Sequence, residues 1–244
     1  LPDDLKVSAV YDRRFGLVQF DFAGVFRLAL KSLVETLNVD PGDLAAVLDP
    51  RYQWTEGTAD IQDARLRVLT ETLSVGKVVL DVGGYDGWAA KRLLNQGASR
   101  AVCLDNQQYE HYGWTEKRLE GVEYVTGSFM GWTEPVDVLV FYNVLYHLKN
   151  PWAALDHLRE IVKPDGQMLL CTLFRYHDGA WMYVYEPREC NPTDETVYWG
   201  PSLQALERLL KATGWNFTQE GLAYDRVVYR CRPMPGFQRT HGDT

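Results

Sequence analysis

Apolar positions follow a helical spacing in the first quarter of the chain and a strand spacing through most of the rest. In FAGVFRLALKSLVETLN, Phe22, Val25, Phe26, Ala29, Leu33 and Leu37 recur at helical intervals, and Asp21 stands where an N-cap would. NVDPGD breaks that pattern, Leu44–Leu48 reads as a short helical turn, and Arg51–Gly57 as a loop carrying Tyr52 and Trp54. A second amphipathic helix is expected over Ile61–Leu73, with Ile61, Ala64, Leu66, Leu69 and Leu73 as its apolar positions. Residues 1–60 are therefore expected to form a helical N-terminal extension.

From Lys77 short apolar runs alternate with helical segments. KVVLDV leads through GGYDG into WAAKRLLNQG. RAVCLD ends in an acid and precedes a polar helix through Gln107–Leu119. VEYVT, VDVLVFYNV and QMLLCTLF supply further strands, with PWAALDHLREIV as a helix opened by Pro151 and KPDG as a turn. This alternation predicts a parallel α/β sheet with both faces covered. Arg175–Gly200 is a long polar-aromatic stretch. The helix PSLQALERLLKATG closes at Gly214, and WNFTQEG and AYDRVVYRC then lie close enough in sequence to pair antiparallel. Residues 233–244 are expected to be a flexible tail.

Composition narrows the classes. The 244 residues are 46% hydrophobic and 24% charged, which excludes disorder across the chain. Lys and Arg number 25 against 33 Asp and Glu, a formal charge of −8. Phosphate contacts need Lys and Arg, so this balance favours a small-molecule acceptor over nucleic acid and leaves room for a local basic groove. Four scattered cysteines without a CxxC pair disfavour zinc and a disulfide framework and suit a reducing compartment. No metal site is expected. Val138–Tyr146, the longest apolar stretch, is too short to span a bilayer, and no signal peptide is visible. A cytoplasmic protein without membrane contact is expected.

The strongest chemical signal is VVLDVGGYDG. A buried strand ends at Asp81, and Gly83, Gly84 and Gly87 form the turn into a helix. Glycines there let the backbone approach a ligand closely. The second strand ends at Asp105, 24 residues after Asp81, where an acid accepts hydrogen bonds from ribose hydroxyls. A nicotinamide dinucleotide needs G-x-G-x-x-G, and Val82 occupies the place of the first glycine.

D-V-G-G-x-x-G resembles motif I of the class I S-adenosylmethionine-dependent methyltransferases. The resemblance implies an α/β fold: a Rossmann-like seven-stranded methyltransferase sheet with an antiparallel last strand, here over 61–232. It implies S-adenosylmethionine held by Asp81, Gly83, Gly84, Tyr85, Gly87, Asp105 and Asn106. Tyr85 replaces a glycine found in many members. Ser128 stands where the family places an acid against the adenine, with Phe129 beside it. Tyr142, Asn143, Tyr146 and His147 follow the fourth strand and belong at the mouth of the site.

VLYHLKNPWAALDHL and TVYWGPSLQALERLLKATGW are similar to segments of the tRNA (uridine-5-oxyacetic acid) carboxymethyltransferases and their relatives. That resemblance implies carboxy-S-adenosylmethionine as an alternative cofactor, its carboxylate held by Tyr146 and Arg226. Where those enzymes carry a Trp- and Lys-rich segment before the first strand, this chain has DIQDARLRVL, with Arg65 and Arg67. Three functions follow: methyl transfer to a small molecule, favoured by the acidic balance; methyl or carboxymethyl transfer to tRNA uridine; and a non-catalytic cofactor-binding subunit. His147 is the candidate general base, or else bonds the loop backbone. Tyr146 and Arg226 are the other candidate catalytic residues, and Arg175 is a further candidate for an acidic substrate.

Overall fold

The computed structural model describes residues 8–12, 17–21, 58–106, 118–192, 194–223 and 225–238. The chain divides into two units, Leu1–Thr58 and Ala59–Thr244. In the first, β1 (Ser8–Asp12) and β2 (Leu17–Asp21) pair antiparallel, from Ser8 opposite Asp21 to Asp12 opposite Leu17. This hairpin corrects the reading of all of 1–60 as helical. The helices expected over Phe22–Leu37 and Leu44–Leu48, and the loop with Tyr52 and Trp54, lie outside the described residues.

The second unit opens with α1 (Thr58–Glu71), followed by β3 (Val78–Val82), α2 (Trp88–Asn95), β4 (Arg100–Asp105), β5 (Glu123–Thr126) and β6 (Val136–Tyr142). Then come α3 (Pro151–Ile161), β7 (Val162–Leu173), β8 (Met182–Val184), β9 (Trp199–Pro201), α4 (Leu203–Ala212), β10 (Trp215–Ala223) and β11 (Arg226–Pro233). Seven strands form one sheet in the order β10-β11-β7-β6-β3-β4-β5. Only β11 runs against its neighbours, pairing antiparallel with both β7 and β10. The expected seven-stranded sheet with an antiparallel last strand is present. The polar helix expected over Gln107–Leu119 falls mostly outside the described residues.

Strand periodicity decides which helices cover which face. Leu80, Val82, Leu139 and Phe141 pack with Leu155, Leu158, Leu206 and Leu210 of α3 and α4. Val79, Val138 and Val140 pack with Val68, Leu69, Ala90 and Leu93 of α1 and α2. The capping chemistry is local. Asn150 accepts from the Ala153 amide at 3.1 Å with Pro151 in the first turn, and Ser202 accepts from the Ala205 amide at 3.2 Å. KPDG, read as a turn, is looped out within β7, whose pairing with β6 jumps from Val162 to Gln167. The start of the expected tail is docked: the Met234 amide donates to the Gly214 carbonyl at 2.8 Å, and the Arg159 guanidinium lies 5.0 Å over the Phe237 ring.

Sheet order places the site. β3 has β4 on one side and β6 on the other, and the connections leave it in opposite directions, making a switch point. In open α/β sheets ligands bind beyond the carboxyl ends of the strands at such a point.

Candidate active site

A cleft of about 1030 Å³ opens there. Val82 and Gly83 line it from the end of β3, Asp105 and Asn106 from the end of β4, and Asn143 and Val144 from the end of β6. Ser128 and Phe129 form another wall, joined by Tyr85. His147, Lys149 and Asn150 follow, and the segment before β9 closes the far side with Arg188, Asp194, Thr196 and Tyr198.

Asp81, Gly84, Gly87, Tyr142, Tyr146 and Arg226 are not part of that lining, and each has a distinct place. Period two puts the Asp81 side chain on the α2 face with Val79, where its carboxylate accepts from the Ala90 amide at 3.2 Å. Burial raises the Asp81 carboxyl to about 7, against the opposing pull of that amide. A Cβ on Gly84 would come within 2.6 Å of Asp81 Cγ and 2.9 Å of Cys103 Sγ. A Cβ on Gly83, at φ +65°, would collide with Val144 Cγ2. The Gly87 backbone, at φ +77°, passes the Tyr124 hydroxyl, which would meet an added Cβ at 2.7 Å. The turn is thus a tight stack: Asp81 and Gly84 beneath, and the Gly83 backbone facing the cleft with no room for a side chain. Tyr85 adopts φ +53° and is partly exposed.

Asn143 also adopts a left-handed backbone, φ +60°, which asparagine tolerates better than most residues. Its Oδ1 accepts from Arg65 at 2.7 Å. Arg65 is buried on α1, lies 5.4 Å over the Tyr142 ring and donates to Cys171 Sγ at 3.0 Å. Its Nε and the Tyr142 hydroxyl are buried without hydrogen-bond partners. Across from it, the Arg226 guanidinium lies 5.1 Å over the Tyr146 ring and pairs with Asp225 at 2.7 Å. Burial pushes the Tyr146 phenol up, while Arg226 and Arg65 pull it down. Both guanidinium groups also act on the Cys171 thiol. Arg175 reaches the same Asp225 carboxylate at 3.6 Å and is tied to Tyr185 and Cys190, so it is held rather than solvated. Among the described residues, no carboxylate pairs with Arg65. The result is a largely buried cationic cluster against two tyrosine rings, directly behind Asn143 and His147 of the cleft lining.

His147 is held by the segment before β9. Its Nδ1 lies 3.1 Å from the Thr196 carbonyl oxygen and 2.9 Å from Thr196 Oγ1, with Asp194 Oδ2 at 3.9 Å. Burial lowers the His147 pKa, with Asp194 opposing. His157, in contrast, bonds the Phe129 carbonyl at 2.9 Å and shapes the cleft wall. Arg65, Asp194 and Thr196 are the residues whose roles sequence reasoning did not assign.

The lining fits a sulfonium nucleoside. The Gly83 cradle admits backbone but no side chain, Asp105 stands at the end of β4 for ribose hydroxyls, and Phe129 offers an apolar wall for a flat base.

Residues 54–220 match the family described as a methyltransferase domain. A tRNA U34 carboxymethyltransferase of Chromohalobacter salexigens is 28% identical over 155 residues, covering 57% of this chain and 44% of that protein. One of Helicobacter pylori is 26% identical over 200 residues, covering 72% of this chain and 75% of that protein. The chain spans about half the length of several such relatives. Among solved structures, the DhpI–SAH complex has the same fold, with a TM-score of 0.55 and 19% identity over 80% of this chain and 91% of that one. With its matched domain, sheet order and glycine turn, the chain belongs to the methyltransferase domain family, among the class I S-adenosylmethionine-dependent enzymes.

Proposed function

We propose that the chain transfers a carboxymethyl group from carboxy-S-adenosylmethionine to a uridine of tRNA. The observation that carries this reading is the cationic cluster behind the cleft, in which Arg226 lies over Tyr146 while Arg65 bonds the cleft residue Asn143 from α1. Three arginines, Arg65, Arg175 and Arg226, gather there, and Asp225 is the carboxylate within ion-pair distance of two of them. Such a cluster favours a further anion, and the planar guanidinium fork matches a carboxylate. A cofactor whose transferable group is a bare methyl carries a carboxylate only at its amino-acid end, away from the reacting carbon. The acidic balance of the chain favours a small-molecule acceptor, but the relatives named tRNA U34 carboxymethyltransferases weigh towards tRNA.

When bound, the sulfonium cofactor supplies an already electrophilic carbon. What remains for the protein is to align the reactants and to exclude water. Asp105 accepts from the ribose hydroxyls. The Gly83 backbone cradles the amino-acid end, and Asp81 braces that turn through α2. Arg226, with Tyr146, orients the carboxylate and so the carbon beside it. An oxyacetic ether forms from a hydroxyl, so the acceptor is a uridine bearing a C5 hydroxyl. His147, lining the same cleft, takes the proton that this hydroxyl loses.

The test is incubation of the chain with carboxy-S-adenosylmethionine and tRNA containing 5-hydroxyuridine, followed by nucleoside mass spectrometry. The expected result is a carboxymethyl adduct on uridine. Methyl transfer to the same tRNA, with no carboxymethyl product under either cofactor, contradicts the reading.

A further inference from the structure

Three oxygen atoms meet around His147, and their proton inventory is fixed by distance. Thr196 Oγ1 lies 2.6 Å from Asp194 Oδ1, and the same carboxylate oxygen accepts from the Thr196 amide at 2.8 Å. A carboxylate has no proton to give, so the Thr196 hydroxyl donates its single proton to Asp194. Its oxygen is then left only as an acceptor on the side of His147 Nδ1, 2.9 Å away. The other neighbour of Nδ1, the Thr196 carbonyl at 3.1 Å, is also an acceptor and nothing else. Two acceptors facing one ring nitrogen require that nitrogen to carry the proton.

We infer that Asp194 and Thr196 are positioning residues that lock His147 in its Nδ1–H tautomer and so present Nε2 as the proton acceptor of the transfer step. This rests on the reading of His147 as the group that receives the acceptor's proton. Nε2 has no hydrogen-bond partner among the described residues, and His147 lines the cleft. As the acceptor hydroxyl's oxygen commits its electron pair to the transferred carbon, whose old bonding pair departs with sulfur, its proton passes to Nε2. The imidazolium keeps both Nδ1 contacts, and Asp194 at 3.9 Å offsets its charge until the proton leaves to solvent.

Other groups bear on the ring. Tyr146 lies tilted against it at 4.2 Å between ring centroids, Arg226 opposes the imidazolium, and burial does the same. Against these, Asp194 is the charge that favours protonation of the ring at turnover. The segment between β8 and β9 thereby delivers an orienting pair to a residue that follows the fourth parallel strand, about fifty positions earlier in the chain.

Two readouts test this, and the first needs neither cofactor nor acceptor. In nitrogen-15 spectra of the free chain, neutral His147 should show a protonated Nδ1 and an unprotonated Nε2. Asp194→Ala removes the oxygen that accepts from the Thr196 hydroxyl and frees its proton to point at Nδ1, so the Nε2–H tautomer should become populated. The second readout is the pH profile of turnover. Asp194→Ala should move the acid limb to lower pH and reduce the plateau at least tenfold, with the cofactor KM held. Thr196→Val should lower kcat similarly, and Thr196→Ser should restore it. A protonated Nε2 in the wild-type spectrum overturns the inference. So does an Asp194→Ala chain with wild-type tautomer and pH profile. Because the spectra are read without tRNA, failure of the acceptor assignment and failure of this inference give different results.

Discussion

The guanidinium of Arg226 lies 5.1 Å over the ring of Tyr146, although the two residues are 80 positions apart. Topology makes the meeting. β11 is the strand that runs against the rest, so its first residue sits at the sheet edge where β6 and β7 end, opposite Leu173. Arg226→Leu removes the fork without leaving a buried unpaired charge on its own side chain. A hydrogen-bonded charge pair is worth on the order of 1.5–3 kcal/mol. Affinity for carboxy-S-adenosylmethionine should therefore fall by roughly 10–150-fold. Affinity for S-adenosylhomocysteine, which carries no such carboxylate, should change little. Calorimetric titration of both ligands checks the difference.

Asp105→Ala should weaken either cofactor, because the ribose is common to both. A loss of roughly 10–150-fold in affinity is expected from a charge-assisted contact. The circular dichroism spectrum should be unchanged, since the residue ends a strand at the cleft and does not fill the core. An unaltered dissociation constant in a folded variant would place the acid outside the ribose site.

The Asp81 carboxyl, raised from 3.8 to about 7 by burial, makes apo stability depend on pH. Between those values the folded chain holds a proton that the unfolded chain has released. Stability from this group is complete below the unfolded pKa and is lost as pH rises through about 7. Asp81→Asn removes the penalty, so its advantage over wild type should grow from pH 5 to pH 8, up to about 4 kcal/mol. Urea unfolding at the two pH values measures it. A variant equally destabilised at both would show that Asp81 is ionised and satisfied in the folded chain.

Gly83→Ala meets two obstacles at once: a left-handed backbone and the Val144 side chain. A methyl there should cost about 1–3 kcal/mol and displace the cleft wall formed by Val144. Gly76→Ala is the control, since it has the same backbone strain at φ +68° but open space around the new methyl. Thermal melts should rank Gly83→Ala below Gly76→Ala, and cofactor binding should be lost in the first alone.

What is legible in the chain, and what is not, follows from the range of each signal. Asp81, the glycine turn and Asp105 are legible because strand, turn and helix follow one another within a few residues, and each leaves its own punctuation. The meeting of Tyr146 and Arg226 is legible because one antiparallel strand fixes it. Arg65 is visible as a residue but not as a neighbour of Asn143: helical spacing shows which side of α1 is apolar, yet it does not say that this side packs over Tyr142. Asp194 and Thr196 lie in a stretch with no periodicity, so nothing local announces that it returns to His147. The hairpin of Ser8–Asp12 and Leu17–Asp21 is overshadowed by the longer helical pattern that follows it.

The cationic cluster of Arg65, Tyr146 and Arg226 should select a carboxylated sulfonium. Competition calorimetry on the wild-type chain, with carboxy-S-adenosylmethionine displacing S-adenosylmethionine, tests this most directly. The carboxylated cofactor should bind at least tenfold tighter, about 1.4 kcal/mol, with the preference abolished in Arg226→Leu. Equal affinities, or a preference for S-adenosylmethionine, would contradict it.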